Sequence, residues 1–112
     1  MGHKIHHSAS KLVGVSPWLS EVEIKEQIID CIHDGFNLID SHKNRIDSSS
    51  IHIEEFIGEG YGKPTKESIQ ALKRVASSES ILLDHVYTAK TMACLFHYVE
   101  TGLIAPNESV LF

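Results

Sequence analysis

The chain has 112 residues, 42% hydrophobic, 22% charged and 7% aromatic, and its 10 Lys and Arg against 15 Asp and Glu leave a formal net charge of −5. That size gives one domain, apolar enough for an ordinary core without metals or disulfides and too apolar for intrinsic disorder. The acidic balance speaks against nonspecific nucleic-acid binding, and no run of 18 apolar residues offers a membrane span.

Residues 1–10 form a polar, His-rich segment that lacks the apolar stretch of a signal peptide, so the cytoplasm is the expected location. His3, His6 and His7 show no periodicity, and no metal site is expected from them. Residues 11–112 carry the rest of the domain. The run Leu12-Val13-Gly14-Val15, closed by Ser16-Pro17, has the length of a strand buried on both faces. Ser20 and Glu23 then form the S-x-x-E signature of a capped helix start, with Leu19 and Ile24 placed as a hydrophobic staple. Ile24, Ile28, Ile32, Phe36 and Ile39 recur at helical spacing, opposite Lys25, Glu26, Asp30 and Asp34. A polar loop is expected over 41–50.

Ile51 to Ile57 begins with strict alternation, which argues for a strand with His52 on its wetter face and Glu54-Glu55 at a solvated end. Gly58-Glu59-Gly60-Tyr61-Gly62 follows, a tightly turning backbone that lacks the G-K-[ST] of a phosphate loop. Thr65 is the expected N-cap of a second helix whose inner face is Ile69, Leu72, Val75 and Ala76, ending over Ser77 to Ser80. Ile81-Leu82-Leu83-Asp84 is a further short apolar run. Met92, Leu95, Phe96 and Val99 mark a third helix at i, i+3, i+4, i+7, with Gly102 just beyond its end. Val110-Leu111-Phe112 reads as a last strand. Cys31 and Cys94 lie in helical patterns without a C-x-x-C pair or a His ligand set, and both are expected to be buried free thiols. Strands alternating with helices point to an α/β fold around a mostly parallel sheet.

The residues alone allow several acid–base groupings, among them Asp84, His85 and Tyr87, or Glu54, Glu55 and Tyr61, and fix the geometry of none. Two longer motifs go further. Gly58-Glu59-Gly60-Tyr61-Gly62-Lys63-Pro64-Thr65-Lys66-Glu67, followed by Ile81-Leu82-Leu83-Asp84-His85-Val86-Tyr87-Thr88-Ala89-Lys90-Thr91-Met92-Ala93, resembles the C-terminal portion of the D-cysteine desulfhydrase and 1-aminocyclopropane-1-carboxylate deaminase family. The pattern there is G-x-G-Y-G-x-P-[TN]-x-E, then L-x-D-P-V-Y-[TE]-G-K-x-M. The Val13-Gly14-Val15-Ser16 run, the helix from Ser20 and the closing Val110-Leu111-Phe112 also resemble that family, so the likeness runs from about Lys11 to Phe112.

The resemblance implies part of a fold-type II, tryptophan synthase β-like domain with three α/β/α layers, and pyridoxal 5′-phosphate as cofactor. It implies that Tyr61 and Tyr87 face the substrate as catalytic residues, a Tyr hydroxyl being able to relay a proton or hold a carboxylate. Thr88 matches the position beside the cofactor's pyridine nitrogen, where Thr resembles the desulfhydrase branch and Glu the deaminases. The implied reaction is α,β-elimination of D-cysteine to pyruvate, ammonia and hydrogen sulfide. His85 stands where the family has Pro, and Ala89 where it has Gly. The family's Schiff-base lysine lies in its earlier part, and Lys90 matches the lysine of G-K-x-M instead. A chain of this kind is expected to be inactive alone, and to meet a complementing N-terminal chain or a second copy of itself.

Overall fold

The structure, a computed structural model, describes residues 10–38 and 48–112; His3, His6, His7 and the loop over 41–47 lie outside the described residues. Strand β1 (Val13–Ser16) leads into helix α1 (Glu21–Leu38), and strand β2 (His52–Glu55) follows a single 3-10 turn at Ser48–Ser50. Helices α2 (Lys66–Glu79) and α3 (Thr88–Glu100) complete the regular elements.

The two strands pair in parallel, Val13 opposite His52 through Ser16 opposite Glu55, and the Phe56 N–H donates to Ser16 O at 2.9 Å just beyond the ladder. The order is thus β-α-β with α1 as the crossover, the usual way of joining parallel neighbours. Among the described residues the sheet has two strands, and the apolar runs Ile81–Asp84 and Val110–Phe112, expected as strands, form none. Their side chains explain it in part: Leu82 and Leu111 are exposed, so neither run has an apolar layer to pack on. What stands is a mixed helix-and-strand fold with a small parallel sheet. Among the described residues no helix is long and apolar enough to cross a membrane.

Local signals set the helix starts as expected. The Ser20 N–H donates to Glu23 Oε2 at 3.0 Å and the Glu23 N–H to Ser20 Oγ at 3.4 Å, closing the capping box of α1. A long-range partner joins them, since the Glu21 N–H donates to the Glu55 carboxylate at the end of β2. A carboxylate on the first turn also meets the positive end of the helix dipole. Thr65 caps α2, its Oγ1 accepting from the Ser68 N–H at 3.1 Å while Ser68 Oγ accepts from the Thr65 N–H at 2.9 Å. Ser80 closes that helix in the left-handed region at φ 58°.

The packed faces differ from those expected. Helix α2 buries Ser68, Ala71 and Val75, a stripe turned by about one residue from Ile69, Leu72 and Ala76. Helix α3 buries Ala89, Lys90, Ala93 and Cys94, and leaves Val99 exposed. In both helices the smallest side chains point inward because α2 and α3 approach each other closely, with Ala71 and Ala93 along one shared groove. Ser68 tolerates burial because its hydroxyl also donates to Thr65 O. Cys94 is buried as expected, whereas Cys31 is exposed. Phe36 is the buried residue of α1, and Cys31 sits five positions before it, about 140° around the helix.

Candidate active site

Both strands of a parallel pair end on the same side, and that edge is where open α/β sheets gather their ligands. Here β1 runs out at Ser16 and β2 at Glu55, so Pro17-Trp18 and the Phe56–Gly62 segment become neighbours there. Ser16 turns the first of these, its buried hydroxyl donating to Leu19 O at 2.6 Å and accepting from the Leu19 N–H at 3.1 Å. Gly58 turns the second at φ +66°, with no room for a Cβ, which would stand 2.4 Å from Thr65 Cγ2.

The turn delivers Tyr61 to the carboxyl edge. Its hydroxyl lies 2.8 Å from the Tyr87 hydroxyl, and the two rings meet edge to face with centroids 6.3 Å apart. Trp18 closes on the other side of Tyr61, again edge to face at 5.6 Å. All three rings remain open to solvent, so a ligand can reach them. The hydrogen bond between the two hydroxyls is the main cause that raises the Tyr87 phenol above the ordinary tyrosine pKa, with burial adding to it. The two tyrosines singled out by motif are thus brought together in space from positions 26 residues apart.

Asp84 and Thr88 set the start of α3. The Asp84 carboxylate accepts from the N–H groups of Val86, Tyr87 and Thr88 at 2.9, 2.7 and 2.9 Å, and from the Thr88 hydroxyl. The Thr88 hydroxyl in turn accepts from the Asp84 N–H at 2.8 Å. These donors, the Thr88 hydroxyl first, hold the Asp84 carboxyl well below the ordinary range. Asp84 is therefore a helix cap and not half of an acid–base pair with His85. Thr88 lies directly beside Tyr87, but its hydroxyl serves the cap.

Glu54 and Glu55 are likewise tied down, where the alternation suggested a solvated strand end. Glu55 caps α1, and Glu54 accepts from the Tyr98 hydroxyl of α3. Burial, with that bond, raises the Tyr98 phenol above its ordinary value, and burial pushes the Cys94 thiol up to about 11.

Lys90 is the residue whose role the sequence did not reveal. It is 0% exposed, and its ammonium donates to Ile57 O at 2.7 Å, Pro17 O at 3.0 Å and Gly60 O at 3.4 Å. The available signal was a lysine flanked at i−1, i+3 and i+4 by Ala89, Ala93 and Cys94, a charge in the middle of an inward stripe. Among the described residues no group of His, Cys, Asp and Glu has the arrangement of a metal site.

Similarity to known proteins agrees with the motifs. No family model matches the chain. The 1-aminocyclopropane-1-carboxylate deaminase of Bradyrhizobium diazoefficiens is 24% identical over 104 residues, 93% of this chain and 31% of the relative. A probable 1-aminocyclopropane-1-carboxylate deaminase of Schizosaccharomyces pombe is 28% identical over 102 residues, 90% of this chain and 30% of the relative. The D-cysteine desulfhydrase of Salmonella newport is 35% identical over 66 residues, 58% of this chain and 20% of the relative. The chain thus spans about a third of the length, or less, of the curated relatives it matches. These matches, at low identity, support the family that the motifs indicate, 1-aminocyclopropane-1-carboxylate deaminase and D-cysteine desulfhydrase, with the chain as a counterpart of the C-terminal part of its members.

Proposed function

We propose that this chain supplies the tyrosine wall of a pyridoxal-phosphate-dependent, D-cysteine desulfhydrase-like enzyme that eliminates hydrogen sulfide from a D-amino acid in the cytoplasm. The observation that carries the reading is the 2.8 Å contact between Tyr61 and Tyr87 hydroxyls at the carboxyl edge of the parallel strands, on the two motifs shared with the family. When bound, the cofactor supplies an electron sink for the carbon that loses its proton. Tyr87, paired with Tyr61, orients a carboxylate or passes a proton along the hydroxyl pair. On the family's pattern Thr88, whose hydroxyl here also serves the Asp84 cap, would be this chain's residue beside the pyridine nitrogen.

The described residues fit one wall of such a site and not the whole of it. A covalently held cofactor needs a free amine, and Lys90, buried behind the wall, spends its ammonium on three backbone carbonyls. On the family's pattern the Schiff-base lysine belongs to the earlier part of the enzyme, and this reading places it outside these 112 residues. The same holds for the remaining layers: Glu54 and Glu55, adjacent on β2, reach α3 and α1 respectively, which supports a wider three-layer α/β/α sheet of which β1 and β2 are two strands. Thr88 favours the desulfhydrase reaction; a 1-aminocyclopropane-1-carboxylate deaminase-like part is the second reading, supported by relatives matched over 90% or more of the chain.

The test mixes the chain with pyridoxal phosphate, with and without a separately expressed chain carrying the lysine-bearing portion of the Salmonella newport D-cysteine desulfhydrase. Absorbance at ~420 nm after dialysis reports attachment of the cofactor, and sulfide release from D-cysteine reports turnover. Neither signal is expected from the chain alone; both are expected from the mixture, with turnover lost in Tyr87→Phe. A dialysis-stable band with turnover from the chain alone refutes the external lysine. A folded mixture that turns over 1-aminocyclopropane-1-carboxylate but not D-cysteine selects the second reading.

A further inference from the structure

We infer that Lys90 is a positioning residue: its buried ammonium fastens the ends of β1 and β2 and the glycine turn together, and so holds Trp18 and Tyr61 where Tyr61 meets Tyr87. The role rests on the tyrosine pair being the working wall proposed above.

The three acceptors belong to three separate segments. Pro17 directly precedes Trp18, Ile57 leads into Gly58, and Gly60 directly precedes Tyr61. Each carbonyl is thus within a residue of something the site uses. An ammonium has three N–H donors and no acceptor, so three carbonyls satisfy it fully. Its hydrogen-bond partners are backbone carbonyls and not carboxylates, so converging backbone dipoles face the charge. Burial draws the lysine below its ordinary pKa, yet the geometry rewards the protonated form, because a neutral amine has one donor fewer.

A buried lysine is costly unless its hydrogen bonds are complete, so it is a poor device for bulk stability and a good one for fixing geometry. Phe56 N–H to Ser16 O joins the strand ends, and Lys63 N–H to Gly60 O at 3.3 Å spans the turn. Tyr98 to Glu54 and His97 against Phe56 tie β2 and its end to α3, but they do not hold the turn at Gly60. Lys90 links the turn bearing Tyr61 to the helix that follows Tyr87. Its placement on α3 three residues after Tyr87 means that one helical turn carries both the phenol and the clasp that brings its partner.

The experiment needs neither cofactor nor substrate, so its failure is separate from that of the elimination reading, which the cofactor band decides. Trp18 is the only tryptophan, which makes its fluorescence a local probe. Lys90→Met keeps the length of the side chain and removes every donor; Lys90→Arg keeps the charge and the donors. With helical far-UV dichroism retained, Lys90→Met is expected to raise acrylamide quenching of Trp18 about two-fold, as the indole goes from 48% exposed towards full exposure, and to return Tyr87 to an ordinary phenol titration. Lys90→Arg is expected to lie nearer the wild type in both. A folded Lys90→Met variant with wild-type quenching and phenol titration overturns the inference. Should that variant fail to fold, NMR of the wild-type chain decides. Slowly exchanging Lys90 ammonium protons in contact with Trp18 and Tyr61 protons support the clasp, and exchange as fast as that of exposed Lys66 overturns it.

Discussion

Gly58 couples the turn that carries Tyr61 to the start of α2, and replacing it with alanine tests that coupling. Two costs arise at once. The residue sits at φ +66°, a left-handed conformation that costs an L side chain about 1–2 kcal/mol. The new Cβ would also stand 2.4 Å from Thr65 Cγ2. Thr65 cannot simply swing away, because its Oγ1 accepts from the Ser68 N–H and caps α2. Relieving such overlap by shifting backbone or surrendering the cap costs another ~1–3 kcal/mol. Gly58→Ala should therefore lose about 2–5 kcal/mol, a large share of a single domain's stability. Thr65→Ser separates the two costs, since serine caps as well as threonine and lacks Cγ2. In the double variant the overlap disappears and only the left-handed cost of about 1–2 kcal/mol remains. Gly60→Ala is the control, at φ +126° with nothing within 4 Å of an added Cβ. Urea unfolding followed by circular dichroism gives all four values. A loss below about 0.5 kcal/mol for Gly58→Ala, or no rescue by Thr65→Ser, refutes the coupling.

Two further predictions concern the cysteines and the α3 cap. In the native chain at neutral pH, maleimide should add to the exposed Cys31 and spare Cys94, whose thiol is buried and pushed up to about 11; intact mass should show one adduct, and two in denaturant. Two adducts under native conditions would contradict the packing of α3. The Asp84 carboxyl has its pKa lowered on folding, so its contribution is fully present above the ordinary value of 3.8 and is lost as pH falls below it towards the folded value. Asp84→Ala should cost about 1 kcal/mol at neutral pH, the worth of a lost cap, and should flatten the fall in stability between pH 5 and pH 2; parallel acid profiles for variant and wild type would refute it.

Features written in adjacent residues were legible in the sequence. The capping box of Ser20 and Glu23, the Thr65 cap and the alternation that begins at Ile51 each depend on a few neighbours; the structure has both caps and a strand at His52–Glu55, though burial along that strand does not alternate. The inward faces of α2 and α3 were harder, because hydrophobicity favours the largest apolar side chains while close helix contact favours the smallest. Ile69 and Val99 therefore face outward, with Ala71 and Ala93 inside. Ile81-Leu82-Leu83 has the composition of a strand but no neighbouring strand to pair with, and composition cannot supply one. The motif match singled out Tyr61 and Tyr87, yet not the hydrogen bond between them, which needs a turn, a helix start and a strand edge placed together.

That division explains why the chemically interesting residues are not the ones that shape the site. Tyr61 and Tyr87 are exposed, and their rings are held by the hydroxyl pair and by edge-to-face contacts among Trp18, Tyr61 and Tyr87. Their positions are imposed from behind by side chains with no chemistry of their own. Asp84 fixes the backbone N–H of Tyr87 itself, and Lys90 fixes the carbonyl directly before Tyr61. Both act on backbone atoms, so they set where each Cα lies and leave the phenols free to adjust to a ligand. A wall built this way is preorganised at the level of the chain and adaptable at the hydroxyls. Loss of either anchor should misplace one tyrosine against the other without altering a single group that a substrate would touch.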